Sequence, residues 1–220
     1  TGGTIDKLES IPGFRTGLGA AEIRRITAEV GCVIASQGGE FAPADGKLYA
    51  LRDVTATVAS APLIAASIMS KKLAEGLDAL VLDIKWGSGA FMKDIESARA
   101  LGAAMAAVGE GLGVRTTCLV TDMNQPLASA AGNAVEVRNA VEFLAGAHRD
   151  PRLESVTLAL AAEMLVVSEL DDSPATALGR AREALDSGRA AEVFGRMVQV
   201  LGGPTDFVER HDDYLEKAPL

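Results

Sequence analysis

Apolar and polar positions recur along the chain with two different periods, and together they predict helices alternating with strands. From Ala21 to Val30, Ile23, Ile26 and Val30 fall at helical spacing with Glu22, Arg24 and Arg25 between them, which predicts a helix that Gly31 stops. Cys32-Val33-Ile34-Ala35 is a short apolar run and predicts a buried strand; Ala42 to Asp45 predicts a loop around Pro43, and Lys47 to Arg52 a short helix. Pro62 suits the first turn of a helix reaching about Ala74, with Gly76 placed to end it. The clearest strand is Ala79-Leu80-Val81-Leu82-Asp83-Ile84, mostly apolar as in a strand covered on both faces, followed by a Gly87-Ser88-Gly89 loop. Asp94 is placed to cap an Ala-rich helix running to Val108, Val114 to Thr121 reads as a second strand, and Pro126 to Asn133 as a loop or turn. Val135 to Leu144, Pro151 to Val167, Pro174 to Asp186 and Ala190 to Leu201 complete the helices. This alternation predicts an α/β fold, a mostly parallel sheet flanked by helices.

Length and charge narrow the classes of partner. A chain of 220 residues fits one domain, or one and part of another, and can bury a core without disulfides or metal. With 21 Lys+Arg against 30 Asp+Glu the net charge is -9, and no basic run occurs, so small molecules or other copies of the chain are expected as partners and nucleic acid is not. An acidic surface still admits a phosphate substrate, because local amides and one or two cations outweigh the global field. Cys32 and Cys118 are too far apart in sequence to suggest a disulfide framework, and a reducing cytoplasm fits them best. Apolar stretches such as Leu153 to Val167 are short and interrupted by Glu163, so no membrane partner is expected. Thr1-Gly2-Gly3-Thr4 has neither the charged nor the apolar region of a signal peptide; lacking Met, it opens abruptly on a loop-like turn, as expected of a piece of a longer protein.

Four groups of residues have chemistry to offer, each with a plain structural reading beside it. Thr1-Gly2-Gly3-Thr4 is a turn whose hydroxyls and amides suit an anion, or simply a turn. Tyr49 with Arg52, and Ser67 with Lys71, share helix faces at spacings of three and four; from periodicity alone, a solvated helix end complementing the dipole is the favoured reading of Lys71 and Lys72. Asp83, Lys85 and the Gly87-Ser88-Gly89 loop lie at the carboxyl end of a strand, where open α/β sheets bind ligands, or form an ordinary connection. His148 and His211 sit in polar stretches with no nucleophile to pair with and read as surface histidines. No metal-ligand spacing, nucleophile elbow or P-loop occurs.

Six ordered stretches, taken together, closely resemble the thymidine and pyrimidine-nucleoside phosphorylases over nearly the whole chain. They are Thr1-Gly2-Gly3-Thr4-Ile5-Asp6-Lys7-Leu8-Glu9-Ser10-Ile11-Pro12-Gly13-Phe14, Ala42-Pro43-Ala44-Asp45, and Tyr49-Ala50-Leu51-Arg52-Asp53-Val54-Thr55-Ala56-Thr57-Val58. Ser67-Ile68-Met69-Ser70-Lys71-Lys72-Leu73-Ala74, Leu82-Asp83-Ile84-Lys85-Trp86-Gly87-Ser88-Gly89-Ala90-Phe91-Met92 and Thr121-Asp122-Met123-Asn124-Gln125 complete the set. Lys85-Trp86-Gly87 and Asn124-Gln125 look like the bacterial thymidine type. The resemblance implies reversible phosphorolysis of a 2′-deoxyribonucleoside to a pyrimidine base and 2-deoxy-α-D-ribose 1-phosphate. Its partners would be pyrimidine nucleoside and phosphate, with no organic cofactor, in a cytoplasmic homodimer.

The same resemblance implies roles for residues. Arg52 and Lys71 would bond the pyrimidine carbonyl oxygens and Ser67 the N3 edge. Tyr49 would line the base, Val58, Ile64 and Phe91 would form apolar walls, and Thr4 would be the last of the phosphate-binding hydroxyls. Cations aimed at a leaving base gain strength as charge develops on it, so no protein nucleophile is required. Residues 45–74 would belong to a small helical domain, 1–36 and 76–220 to the α/β domain, with hinges at about 37–44 and 75–77 that close the site. The family's main phosphate loop lies upstream of Thr1, so the 220 residues alone are expected to turn over little thymidine. Some relatives hold a cation with carbonyls matching Leu127 and Ala130 and a downstream acid; Asn139 stands at that acid's position, so no metal is expected. Two other readings compete: a phosphoribosyltransferase of the anthranilate type, which needs an acidic pair for Mg²⁺, and a non-catalytic binding fragment.

Overall fold

The computed structural model describes residues 3–36, 42–57 and 60–217. In chain order it contains α1 (Thr4–Leu8), α2 (Ala20–Val30), α3 (Pro43–Val54), α4 (Ala61–Ala74), β1 (Ala79–Trp86), α5 (Ile95–Gly111), β2 (Arg115–Asp122), α6 (Asn133–Ala145), α7 (Pro151–Val167), α8 (Pro174–Asp186), α9 (Arg189–Val200) and α10 (Phe207–Tyr214). The fold is α/β, and among the described residues its sheet is one parallel pair, β1 with β2, in register from Ala79 opposite Arg115 to Trp86 opposite Asp122. A parallel pair needs a crossover, and α5 supplies it. No helix among the described residues is long and apolar enough to cross a membrane.

The chain divides into two compact units, 1–40 with 128–154 and 182–220, and 41–127 with 155–181. The first is helical. Ile26 and Val30 of α2, Val137 and Val141 of α6, Met197 and Val198 of α9 and Phe207 of α10 share its core with Leu8, Ile11 and Phe14. An ion pair between Lys7 and Glu136 ties α1 to α6. The run Cys32–Ala35 is not the strand its apolarity predicts. Cys32, Val33 and Ala35 pack against the helical core, but among the described residues no strand lies beside them, so apolar burial there comes without a ladder.

In the second unit, α5 packs on the sheet and α4 packs on α5. Leu80 and Ile84 of β1, Ala98, Leu101 and Met105 of α5, and Ala65 and Met69 of α4 share one core. The helix approaches the sheet too closely for a side chain at Gly109, where an added Cβ would sit 2.0 Å from the Thr116 hydroxyl. Asp94 caps α5 by accepting from the Ser97 N–H at 2.8 Å, as the sequence predicts. The loop expected at Ala42–Asp45 is instead the start of α3, with Pro43 in its first turn, where proline's fixed φ suits a helix.

Candidate functional site

Four polar side chains from α3 and α4 meet in the second unit. Lys71, in the last turn of α4, reaches Asp45 in the first turn of α3, with Nζ 3.1 Å from Oδ2. One turn back on α4, the Ser67 hydroxyl accepts from the same Lys71 Nζ at 3.2 Å. Arg52, in the last turn of α3, donates from Nη1 to the Leu63 carbonyl of α4 at 3.0 Å. Asp45, Arg52 and Ser67 are all buried, at 8%, 7% and 6% exposure, whereas the Lys71 side chain keeps 29%. These residue types almost never go inside alone, so burying them as a set marks a specific electrostatic arrangement.

The sign of the local field shows at Asp45. Burial pushes its carboxyl up, but hydrogen bonds from Ser67 and Lys71 and the nearby Lys71 and Arg52 charges outweigh this and hold it below its ordinary 3.8. Lys71 and Arg52 therefore act on one carboxylate. A folded value below the unfolded one means that Asp45 contributes stability above about pH 4, which is lost as pH falls through the folded value. Thermal melts between pH 7 and pH 2.5 should lose stability less steeply in Asp45→Asn than in the parent chain; equal slopes would contradict this.

The second polar group lies at the carboxyl ends of the strands. Asp83 and Lys85 of β1 form an ion pair at 2.7 Å; Lys85 also donates to the Thr121 hydroxyl of β2 at 2.9 Å, and that hydroxyl donates to Asp83. Beyond it, the loops after β1 and β2 are joined. Ser88 N–H donates to Asn124 Oδ1 at 3.0 Å, the Ser88 hydroxyl to the Asn124 carbonyl at 3.2 Å, and Gly89 N–H to the Met123 carbonyl at 3.0 Å. Gly87 N–H closes the loop on the Met92 carbonyl at 2.9 Å. This leaves Phe91, between buried Ala90 and Met92, 65% exposed.

The other candidates of the sequence fall as follows. Ile64 is half-buried against the core of the second unit. Tyr49 lies on α3 by its backbone, and its side chain is outside the described residues, as is the whole of Val58. Thr4 is exposed and begins α1 in the first unit, and the preceding Gly3 N–H donates to the Asp6 carboxylate at 2.8 Å. Asn139 is buried on α6. His148 is exposed, while His211 is half-buried with Nδ1 3.0 Å from the Val208 carbonyl. The structure thus brings Arg52, Ser67 and Lys71 to one cluster and adds Asp45, which sequence reasoning left in a loop. The available signal was Pro43: read as a helix start, it places Asp45 in a first turn, where a carboxylate complements the dipole.

The second unit is thus a parallel βαβ unit of an α/β fold, with polar groups at its strand ends and the Asp45, Arg52, Ser67 and Lys71 cluster on α3 and α4. Residues 1–191 match the family described as "Glycosyl transferase family, a/b domain", and the chain belongs to that family.

Proposed function

We propose that the chain carries the base-recognition part of a thymidine phosphorylase. The observation that carries this reading is the cluster of buried Arg52, Ser67 and Asp45 with half-buried Lys71 in a glycosyltransferase-family domain. It is supported by the six stretches that resemble the thymidine enzymes. In the reaction a phosphate oxygen bonds to C1′ as the C1′–N1 bond breaks. The electron pair passes to N1 of the pyrimidine and spreads to its carbonyl oxygens. Arg52 and Lys71 bond those oxygens and Ser67 the N3 edge, so the cations hold the leaving base most strongly at the transition state. Arg52 meets a planar acceptor with a rigid fork, while Lys71 supplies a point charge. Ile64, Phe91 and Val58 flank the base, Tyr49 contacts it, and Thr4 contributes to phosphate binding. The division into a helical part at 45–74 and an α/β part, and assembly as a homodimer, belong to the same reading.

The test is a substrate panel on the full-length protein: thymidine and uridine with phosphate, and anthranilate with a pyrophosphorylated ribose phosphate and Mg²⁺. Phosphate-dependent release of thymine is expected. Consumption of anthranilate without thymine release would assign the domain to the phosphoribosyltransferases, and binding of thymine without any turnover would assign it a non-catalytic role.

A further inference from the structure

We propose that Asp45 is the positioning residue of this cluster: a buried carboxylate from α3 that fixes the Lys71 ammonium and the Ser67 hydroxyl of α4 at one point. The proposal rests on the reading of the cluster as the base site.

Three observations support it. The first is geometric. A lysine ammonium ends a flexible four-carbon stem and is costly to immobilise. Here it is held by Asp45 Oδ2 at 3.1 Å and by Ser67 Oγ at 3.2 Å, two anchors from two helices. The second is electrostatic. A carboxylate at low exposure attracts the cations around it more strongly than it would in water. The carboxylate is the acidic group of the cluster, and the groups facing it are Ser67 and Lys71 of α4 and Arg52 of α3, both cations among them. The third is the helix ends. Asp45 lies in the first turn of α3 and Lys71 in the last turn of α4, so each charge sits at the helix end whose dipole favours it.

A partly buried ion pair is a poor way to hold two helices together, since apolar residues of similar shape do so as well or better. Keeping one beside a buried arginine places the arrangement on the side of function. Asp45 need not touch substrate to matter. It acts through Lys71 and Ser67, by setting where the ammonium stands before the base arrives.

A double-mutant cycle on thymidine phosphorolysis by the full-length protein tests this. Asp45→Asn preserves shape and removes the charge. In the parent background it is expected to lower kcat/KM roughly tenfold or more, chiefly through kcat, as expected when a transition-state contact is misplaced. In a Lys71→Ala background it is expected to change kcat/KM by a clearly smaller factor, because the ammonium it positions is gone and only the Ser67 hydroxyl is left to misplace. The same factor in both backgrounds, tracking a fall in melting temperature, would mark a purely structural role and overturn the proposal, as would unchanged kcat/KM in the parent background. Should Asp45→Asn fail to fold, Asp45→Glu carries the same cycle, since it keeps the charge and shifts it by one methylene. Failure of the underlying reading shows differently: Lys71→Ala alone would then leave turnover intact.

Discussion

On the proposed reading, alanine at Arg52 or at Lys71 in the full-length protein is expected to cut thymidine turnover by roughly ten- to a hundredfold, the effect of losing a charge-assisted hydrogen bond of about 1.5–3 kcal/mol. The two substitutions should differ in what else they do. Arg52 is 7% exposed and bonds the Leu63 carbonyl of the neighbouring helix, so Arg52→Ala also loosens α3 from α4 and lowers the melting temperature. Lys71 is less buried, but its loss takes the ammonium from the buried Asp45 carboxylate. Adding Asp45→Asn to Lys71→Ala should therefore recover stability without recovering turnover. Arg52→Lys retains charge and loses the fork, and is expected to remain impaired. Steady-state kinetics with thymidine and phosphate, alongside thermal melts, read both effects; wild-type kinetics in Arg52→Ala and Lys71→Ala would remove the base-recognition assignment.

Gly87→Ala is expected to be the most damaging single-methyl change near the strand ends. Gly87 has φ of +122°, a backbone region open essentially to glycine, and an added Cβ would lie 2.8 Å from Asn124 Oδ1 and 2.9 Å from the Asn124 backbone nitrogen. Asn124 cannot yield freely, because its Oδ1 accepts from Ser88 and its carbonyl from the Ser88 hydroxyl. Backbone strain and overpacking together amount to roughly 2–4 kcal/mol. The cost falls on the loop that presents Phe91, so a lower melting temperature should come with a raised KM for thymidine. Unaltered melting and kinetics would mean that the joined loops yield more readily than their contacts imply.

Much of the fold is legible in the sequence where one strong local signal decides. Pro151 and Pro174 mark the first residues of α7 and α8, and those helices end where their patterns end. The apolar run at β1 and the cap at Asp94 are equally local. The misreadings have physical reasons. Five-residue α1 is too short to show a helical period, and the sequence pattern predicts no element over residues 5–8. The run Cys32–Ala35 has the composition of a strand, but pairing needs a neighbour that no local pattern supplies. Helix α10 is mostly polar, with Phe207 its one fully buried residue, so it lacks an apolar stripe. In the candidate site the helix-face pairing of Ser67 with Lys71 is visible from their spacing. The Asp45 carboxylate is not, because its partner is a residue on another helix, and only the packing of α3 against α4 joins them.

The central claim is that two cations stabilise charge developing on a departing pyrimidine, and leaving-group dependence tests it most directly. Thymidine and 5-fluoro-2′-deoxyuridine differ at the base, and the fluorinated base carries negative charge more readily. With kcat for both substrates measured in the parent protein and in Lys71→Ala, with phosphate saturating and chemistry rate-limiting, the loss caused by the substitution should be clearly smaller for the fluorinated nucleoside. An equal loss for the two would mean that Lys71 does not respond to charge on the leaving base, and would contradict the account.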